Sequence, residues 1–369
     1  MSLLSVCSRL SSGKSISSKL LKEKGVIPVY GGNGVRGYIE EGENFNGECA
    51  IIGRQGAYCG NVRFFSGKAY MTEHAIVAQA NACADTRFLA YKLSLMQLGR
   101  LSGQSAQPGL SVKVLGEQVI DIPPLPIQRK IASILSALDD KIETNNAICR
   151  NLEEQARALY ELWLSKRKNE CEWLSLEAIA DLNPEAYSIK EKWGYINYLD
   201  TGNITDGVIS SIQKIDLEQD ELPSRARRKV KAGDVVFSTV RPNQRHFGIL
   251  HSPLPNMLVS TGFTVIRSNK TDISNELIYL LLSDSSFVEK MQQIGEQSVS
   301  AYPSVKPTDI ATCLIPFLGS KDYRQMQNVI CSMFSQIAAL QSESRSLFQA
   351  RDTLLPKLMS GEIDLSIII

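Results

Sequence analysis

The feature that most constrains this 369-residue chain is an internal repeat. Residues 111–113 (SVK) recur as residues 304–306, and in each half an apolar run ending in a proline follows soon afterwards, at Pro123 and Pro316. A repeat of this length indicates one structural unit used twice, so the chain is expected to fold as two similar globular modules.

Further matches keep the same order upstream. Residues 47–52 answer residues 233–238, and residues 75–77 answer residues 263–265. Short strand-like runs, glycines and prolines dominate both halves, each with one predicted helix, at residues 86–98 or 275–291. This pattern predicts an α+β module rather than a regular alternation of strand and helix.

A long helix with a heptad stripe is predicted after each proline. Apolar residues alternate in steps of four and three, which is the spacing of a coiled-coil seam. The seam residues are Ile131, Leu135, Leu138, Ile142, Leu152 and Leu159 in the first helix, and Met326, Ile330, Met333, Ile337, Leu340, Leu347, Leu354 and Leu358 in the second. Each stripe needs a partner, so we expect the two helices to pair; packing of each helix on its own domain is the alternative. A helix of this kind would be about 50 Å long at ~1.5 Å per residue.

The composition excludes several classes of protein. The net charge is +1, so an anionic partner would have to meet local basic patches. Eight cysteines show no C-x-x-C spacing, and three histidines give no zinc-like pattern. No apolar run reaches the ~18 residues needed to cross a membrane, and a cytoplasmic location is expected.

Several motifs stand out along the chain. A proline–glutamine junction at residues 122–132 leads into the first helix and continues at residues 135–142; other motifs lie at residues 354–361, at the end of the second helix, and at residues 12–15 and 28–38, near the start of the first module. These residues resemble type I restriction-modification specificity subunits, and the proline–glutamine junction is the most specific of the motifs. The resemblance covers essentially the whole chain. The second junction, residues 316–325, departs from the pattern because it keeps a proline and a glutamine but gains two residues.

The resemblance implies a four-part organisation with an α+β fold: two similar globular α/β target-recognition domains separated by two long α-helices that pair as an antiparallel coiled coil. The expected boundaries are residues 1–124 for recognition domain 1, 125–169 for spacer helix 1, 170–318 for recognition domain 2 and 319–369 for spacer helix 2. It also implies that double-stranded DNA is read as two half-sites. The expected protein partners are two modification subunits, which would bring S-adenosylmethionine, and restriction subunits, which would bring ATP and Mg²⁺.

Two loops in the first module have the chemistry to read bases. Asn33 and Arg36 lie in a glycine-rich stretch, and their side chains can make paired hydrogen bonds to adenine and guanine respectively. Arg54, Gln55 and Tyr58 directly follow an apolar strand at residues 49–52. A structural hairpin remains the alternative for the glycine-rich stretch.

The second module offers a matching loop and a basic run. Arg241, Asn243, Gln244 and Arg245 follow the strand at residues 235–239, so the two loops carry different side chains at matching places. Arg225, Arg227, Arg228 and Lys229 form the densest basic run, and we expect phosphate contacts there, with a solvated face as the alternative.

Near the N-terminus, Lys14 follows a glycine and precedes a serine, but Ser8 stands where a phosphate-binding loop needs glycine. We therefore expect Lys14 to contact a DNA phosphate, with an ordinary turn as the alternative. Catalytic motifs were not found: no nucleophile elbow, nuclease pattern or methyltransferase motif stands out. The chain is expected to be a non-catalytic recognition subunit. The rivals are a specificity subunit for a fused restriction-methylation enzyme and a coiled-coil adaptor that binds protein rather than DNA.

Overall fold

The computed structural model describes residues 1–102, 109–297 and 302–365. The chain divides into two compact units, the first made of Met1–Glu143 with Ser344–Ile369 and the second of Thr144–Glu343. Each unit contains one α+β module and a stretch of both long helices. The predicted fold class is confirmed, and the four predicted segment boundaries stay a prediction.

Unit 1 is built on a six-stranded sheet with the strand order β1-β6-β4-β5-β2-β3. Its strands are β1 (Cys7–Ser12), β2 (Ile27–Gly31), β3 (Gly34–Ile39), β4 (Phe45–Gly53), β5 (Val62–Met71) and β6 (Ala75–Ala80). Its helices are α1 (Thr86–Leu95), α2 (Val112–Gly116) and the beginning of α3 (Leu125–Arg167).

The central strand β4 alternates between two buried faces. Ala50 and Ile52 pack in one apolar cluster with Leu89 of α1, whereas Cys49 and Ile51 pack in a second cluster on the opposite face. Successive side chains of a strand point to opposite sides. The apolar run at residues 49–52 is therefore continuous because both faces of β4 are covered.

Unit 2 contains a similar α+β module that is built from more strands. Its strands are β7 (Glu172–Ser175), β8 (Ala180–Leu182), β9 (Tyr195–Leu199), β10 (Ile204–Thr205), β11 (Val208–Ile209), β12 (Gln213–Asp216), β13 (Ala226–Lys229), β14 (Asp234–Ser238), β15 (Phe247–Leu250), β16 (Met257–Ser260), β17 (Phe263–Ser268) and β18 (Leu314–Phe317). Its helices are α4 (Leu176–Ile179), α5 (Asn275–Leu282), α6 (Ser285–Glu296), α7 (Pro307–Ala311) and the beginning of α8 (Lys321–Ser360).

Strand order relates the two modules. The order β15-β14-β17-β8 in unit 2 corresponds to β5-β4-β6-β1 in unit 1, and β12-β9-β16 corresponds to β3-β2-β5. Both modules contain one parallel pair, β2 with β5 and β9 with β16. The long strand β5 of unit 1 is therefore divided in unit 2 into β15 and β16.

The structure corrects the predicted match of β4 with β14 by one residue. Gly53 pairs with Ala75, and Ser238 pairs with Phe263 at the same end of its strand. Ile52 therefore corresponds to Phe237 and not to Ser238, and both are buried. A shift of one residue moves every side chain to the other face, so core packing fixes a register that weak sequence similarity leaves open.

The helix predicted at residues 275–291 is also corrected, because it is two helices. α5 ends at Leu282 and α6 begins at Ser285. The carboxylate of Asp284 accepts a hydrogen bond from the Ser286 backbone N–H at 2.9 Å, which is the contact of a helix N-cap. The capped start of α6 explains the break.

The two long helices pair within each unit, and the contacts in unit 2 show that they are antiparallel. Asn145 Nδ2 donates to Glu343 Oε2 at 2.8 Å, and further along α3 the rings of Trp163 and Tyr323 lie 5.2 Å apart. Residue numbers rise on one helix as they fall on the other. In unit 1, Arg351 of α8 forms an ion pair with Asp139 of α3 at 2.9 Å.

The helices also pack against their modules, so the two alternatives raised by the heptad stripes both hold. In unit 1, Phe88 of α1 shares an apolar cluster with Leu135 of α3 and Leu358 of α8. In unit 2, Tyr160 of α3 and Ile330 of α8 join the core of the module. All fourteen predicted seam residues are buried or half-buried.

A buried glutamine joins each module to its helix. Gln128 Oε1 accepts from the Asp85 backbone N–H, and Gln327 Oε1 accepts from the Ser274 backbone N–H, both at 2.9 Å. Asp85 and Ser274 are the N-caps of α1 and α5, so the two glutamines are equivalent. The counterpart of Gln128 is therefore Gln327, not Gln325. Ile131 therefore corresponds to Ile330 and not to Met326, the first seam residue predicted for the second helix, and this difference of about one turn preserves the apolar stripe.

Candidate nucleic-acid interface

The first predicted reading loop of unit 1 is held by backbone hydrogen bonds. Gly53 N–H donates to Asn61 O at 2.8 Å, and Arg54 N–H donates to His74 O at 2.9 Å. A Cβ atom on Gly53 would lie 2.2 Å from the carbonyl oxygen of Tyr58, so only glycine fits there. The sequence thus closes a tight loop directly after β4.

The side chains of this loop differ in exposure. Arg54 is half-buried, and its guanidinium donates to the Glu73 carbonyl oxygen at 3.3 Å. Gln55 is exposed, with its Oε1 3.0 Å from Nδ1 of His74. Tyr58 is 45% exposed. Gln55 and Tyr58 therefore present polar groups to solvent, while Arg54 is partly used by the loop itself.

The glycine-rich stretch forms the β2–β3 hairpin, which lies beside this loop. Asn33 is exposed in its two-residue turn, and Arg36 is exposed on β3. A Cβ on Gly32 would be 3.6 Å from the Gly53 Cα and 3.7 Å from the Arg54 nitrogen. The structure therefore brings together the two stretches of unit 1 that the sequence singled out separately.

Arg63 on β5 is a candidate that sequence reasoning missed. It is exposed, and a Cβ on Gly34 would lie 2.9 Å from one of its guanidinium nitrogens, so the side chain reaches the hairpin. An open groove of about 610 Å³ has Arg63 and Arg100 in its lining. Among the described residues, no ion pair is found for Arg36, Arg54 or Arg63. The β4–β5 pairing of Arg63 with Ile51 could have indicated its position only if the register were known.

Lys14 is exposed just beyond the end of β1. Its backbone N–H donates to Met71 O at 3.0 Å, and a Cβ on Gly13 would lie 2.0 Å from that same oxygen. The chain therefore needs glycine here for a close backbone approach. No α-helix follows β1 directly, so the geometry differs from a phosphate-binding loop.

The reading loop of unit 2 is the structural counterpart of the loop in unit 1. Ser238 N–H donates to His246 O at 2.9 Å, as Gly53 does to Asn61. A single 3₁₀ turn follows in each loop, at Gly56–Tyr58 and at Pro242–Gln244. By this alignment Arg241 corresponds to Gly56 and Arg245 to Gly60, so Arg54 and Arg241 are not equivalent positions.

The four predicted residues of this loop have different surroundings. Asn243 and Gln244 are exposed, and the Asn243 backbone N–H donates to Gln292 Oε1 at 3.2 Å. The Arg241 guanidinium lies 4.5 Å from the centre of the Tyr302 ring. Arg245 pairs with Asp206 at 2.5 Å, which ties its side chain to the module.

Two of the four residues in the basic run on and before β13 are bound inside unit 2. The Arg228 guanidinium donates to Asn183 Oδ1 and to the Phe263 carbonyl, and burial lowers its pKa. Lys229 pairs with Glu191 and lies 5.2 Å from the ring centre of Trp193. Arg225 is exposed and Arg227 half-buried, and no ion pair is found for either within the described part of the chain. The run therefore offers fewer cations to a ligand than its sequence indicates.

Comparison with known proteins finds a similarity in the first part of the chain. Residues 1–154 match the sequence model of the type I restriction modification DNA specificity domain. Over these residues, the chain is similar to the type I restriction-modification specificity family. The matched range covers the module of unit 1 and the first part of α3.

Relatives extend the comparison. The chain is 38% identical over 136 residues to the EcoprrI type I restriction enzyme specificity subunit of Escherichia coli, and the match covers 37% of this chain and 34% of that protein. The MjaVIII specificity subunit of Methanocaldococcus jannaschii is 24% identical over 311 residues, covering 77% of this chain and 72% of that protein. For the specificity subunits of E. coli and Haemophilus influenzae, the matched segment thus spans about a third of the relative, 34% and 29%.

A solved structure shares the fold. The type I restriction-modification S subunit from M. genitalium superposes with a TM-score of 0.58 at 18% sequence identity, covering 97% of this chain and 95% of that chain. At this identity the likeness concerns the fold.

Two kinds of feature are absent from the described residues. No helix there combines the length and hydropathy needed to cross a membrane. The same residues include no group of three or more histidine, cysteine or acidic side chains that could hold a metal ion.

Proposed function

We propose that this chain is the DNA-reading subunit of a type I restriction-modification complex, with each module reading one half of a split, asymmetric target. The observation that carries the proposal is the repeated loop at the end of β4 and β14. The two loops share the backbone hydrogen bonds that Gly53 and Ser238 donate, to Asn61 O and His246 O, and each contains a 3₁₀ turn, but they carry different side chains. A shared scaffold with different polar loops is what two readers of different half-sites require.

The chemistry of the exposed groups supports base reading in both modules. Asn33, Arg36 and Gln55 can each present two hydrogen-bonding groups to one base edge, and Arg54 can do so with the guanidinium N–H groups that do not bind the Glu73 carbonyl oxygen. Asn243 and Gln244 can do the same in unit 2. Phosphate contacts would come from Lys14, Arg63 and Arg225, which hold the register on DNA without reading sequence.

The remaining roles belong to the same proposal. The paired helices set the gap between half-sites and dock the modification subunits, two of them, whose S-adenosylmethionine supplies the methyl group. Restriction subunits would add ATP- and Mg²⁺-dependent cleavage. The chain itself does no chemistry, and it works in the cytoplasm. A partner that fuses restriction and methylation activities is the rival within this class, and the partner expressed with the chain would decide between them.

Methylome sequencing tests the proposal. The chain is expressed with its modification subunit in a host that lacks adenine and cytosine methylation, and a split motif that depends on the chain is expected. Arg54→Ala should relax or abolish reading of one half-site, and Arg241→Ala should do so at the other. Lys270→Ala, an exposed basic residue elsewhere in unit 2, is the matched control.

Two outcomes would count against the proposal. If methylation kept its full sequence preference in the double Arg54→Ala and Arg241→Ala variant, these loops would not be the readers. If the chain bound its partner but neither it nor the complex bound DNA, the coiled-coil adaptor would be the better interpretation.

A further inference from the structure

The loop of unit 2 keeps two arginines in a backbone conformation that favours glycine. Arg241 has φ +48° and Arg245 has φ +56°. Their counterparts in unit 1, Gly56 and Gly60, have φ +75° and +83°. A Cβ atom makes the left-handed region unfavourable, so unit 2 retains a strain that unit 1 avoids at the same two positions.

The strain at Arg245 has a structural explanation. Its Nε donates to Asp206 Oδ1 at 2.5 Å, and its Nη2 donates to the Ser283 carbonyl at 3.3 Å. The guanidinium also lies 5.1 Å from the centre of the Phe247 ring. These contacts join the loop to its own module and leave little of the guanidinium for a ligand.

The guanidinium of Arg241 is not tied to its own unit in the way that the guanidinium of Arg245 is. Within the described part of the chain, no ion pair or hydrogen bond of its guanidinium is found. Its recorded side-chain partner is the ring of Tyr302, 4.5 Å away, and Tyr302 is 56% exposed. The backbone fixes the base of the side chain as well, because Arg241 N–H donates to Pro303 O at 2.8 Å.

A guanidinium that lies over one ring face can be oriented without losing its donors. The N–H groups lie in the guanidinium plane, around its edge, so an aromatic ring beneath it leaves them accessible. Paired N–H donors in one plane match the two adjacent acceptors O6 and N7 on the major-groove edge of guanine.

We propose that Arg241 is the specificity-determining side chain of the unit 2 loop, that it recognises a guanine edge, and that Tyr302 is its positioning residue. The inference rests on the proposed function, since it names the side chain that does the reading in one module. It also assigns the retained backbone strain to recognition rather than to folding.

Stability measurements test whether the backbone at Arg241 is strained. Glycine removes the left-handed strain and alanine keeps it, so Arg241→Gly should unfold about 2–4 °C above Arg241→Ala. If Arg241→Gly unfolded at or below the temperature of Arg241→Ala, the backbone would not be strained here and the inference would lose its first support.

Binding measurements test the contact itself. The probe is a duplex carrying the motif that the unsubstituted complex methylates, with each guanine of the second half-site replaced in turn by 7-deazaguanine, which lacks the N7 acceptor. One replacement should weaken binding to the unsubstituted complex but leave binding to the Arg241→Ala complex unchanged. Arg241→Ala itself should bind the natural duplex about 10- to 100-fold more weakly.

Tyr302 is tested in the same assay. Tyr302→Phe should retain binding, because the ring remains, whereas Tyr302→Ala should weaken binding of the duplex about three- to tenfold. The inference is overturned if the Arg241→Ala complex keeps its base preference, if 7-deazaguanine affects both complexes equally, or if the second half-site contains no guanine. If the unsubstituted complex neither methylates nor binds any duplex, the proposed function fails first and this inference falls with it.

Discussion

At the scale of single residues, side-chain type alone does not decide which cations are available to a ligand. Arg228 and Lys229 belong to the densest basic run of the sequence, yet both are bound by groups of their own module. Arg63 stands in no basic run, and it is exposed beside the hairpin. The difference comes from neighbours that the fold brings together, because charge density along a sequence does not report ion pairing in space.

Glu185 gives a prediction at this scale, because it lies between two cations. It pairs with Lys231 and, at 2.7 Å, with Arg267. These partners lower the pKa of its carboxyl to about 2. Since the pKa is lower in the folded protein than in the unfolded chain, the stabilisation is fully present above about pH 4.5 and is lost as the pH falls towards about 2.

We therefore expect Glu185→Gln to unfold at a lower temperature than the unsubstituted protein at pH 7. The difference should narrow as the pH falls from about 4.5, and thermal unfolding followed by circular dichroism across this range measures it. Glu289→Gln, an exposed carboxylate on α6, is the control and should show little difference at any pH. If the difference in unfolding temperature between Glu185→Gln and the unsubstituted protein stayed constant down to pH 3, the lowered pKa of Glu185 would be contradicted.

At the scale of elements, the two reading loops show how one backbone path accepts different sequences. The path is fixed by main-chain hydrogen bonds, which any residue except proline can make at the donor positions. Side chains are constrained only where space is short. Gly60 is such a place, because its Cβ would lie 2.1 Å from the Gly99 backbone nitrogen, whereas Gly56 has nothing within 4 Å.

This contrast predicts unequal effects from the same substitution. Gly56→Ala should cost about 1 kcal/mol of unfolding free energy, because a Cβ is strained at φ +75°. Gly60→Ala should cost roughly 3 kcal/mol, because it adds a clash with backbone to the same strain. Urea denaturation of the two variants measures the difference. Equal losses would mean that Gly60 and Gly99 are farther apart than described.

At the scale of the whole molecule, the chain combines two similar modules with two long helices of 43 and 40 residues. In both units the helices are part of the packing of the module and not an addition to it. Each module therefore has a fixed attachment to the helices within its own unit.

The proposed spacer role of the helices predicts the effect of an insertion. One heptad is added to each helix at the same level of the pair, between Asn146 and Ala147 in α3 and between Leu340 and Gln341 in α8. Because seven residues add about 10 Å of helix, the gap between half-sites should lengthen by roughly three base pairs, or the complex should fail to assemble.

Methylome sequencing and size-exclusion chromatography read out these two results. The control is a heptad added to α3 alone, which breaks the pairing and should destabilise the chain. An unchanged gap in an intact complex that carries both insertions would refute the spacer role.

The sequence by itself determined the repeat, the α+β class and the two helices, because hydrophobic periodicity and turn residues are local signals. It also placed Asn33, Arg36 and Gln55 where the structure exposes them. It missed three points: which residues of β4 and β14 are equivalent, the break between α5 and α6, and the equivalence of Gln128 with Gln327.

Only the tertiary structure decided these points. It also decided which arginines are bound within their own module and which are exposed. A strand shifted by one residue and a helix shifted by one turn keep nearly the same local pattern, whereas a closed core accepts one arrangement. Local periodicity therefore establishes which elements form, and packing between distant segments establishes which side chains remain available to a ligand.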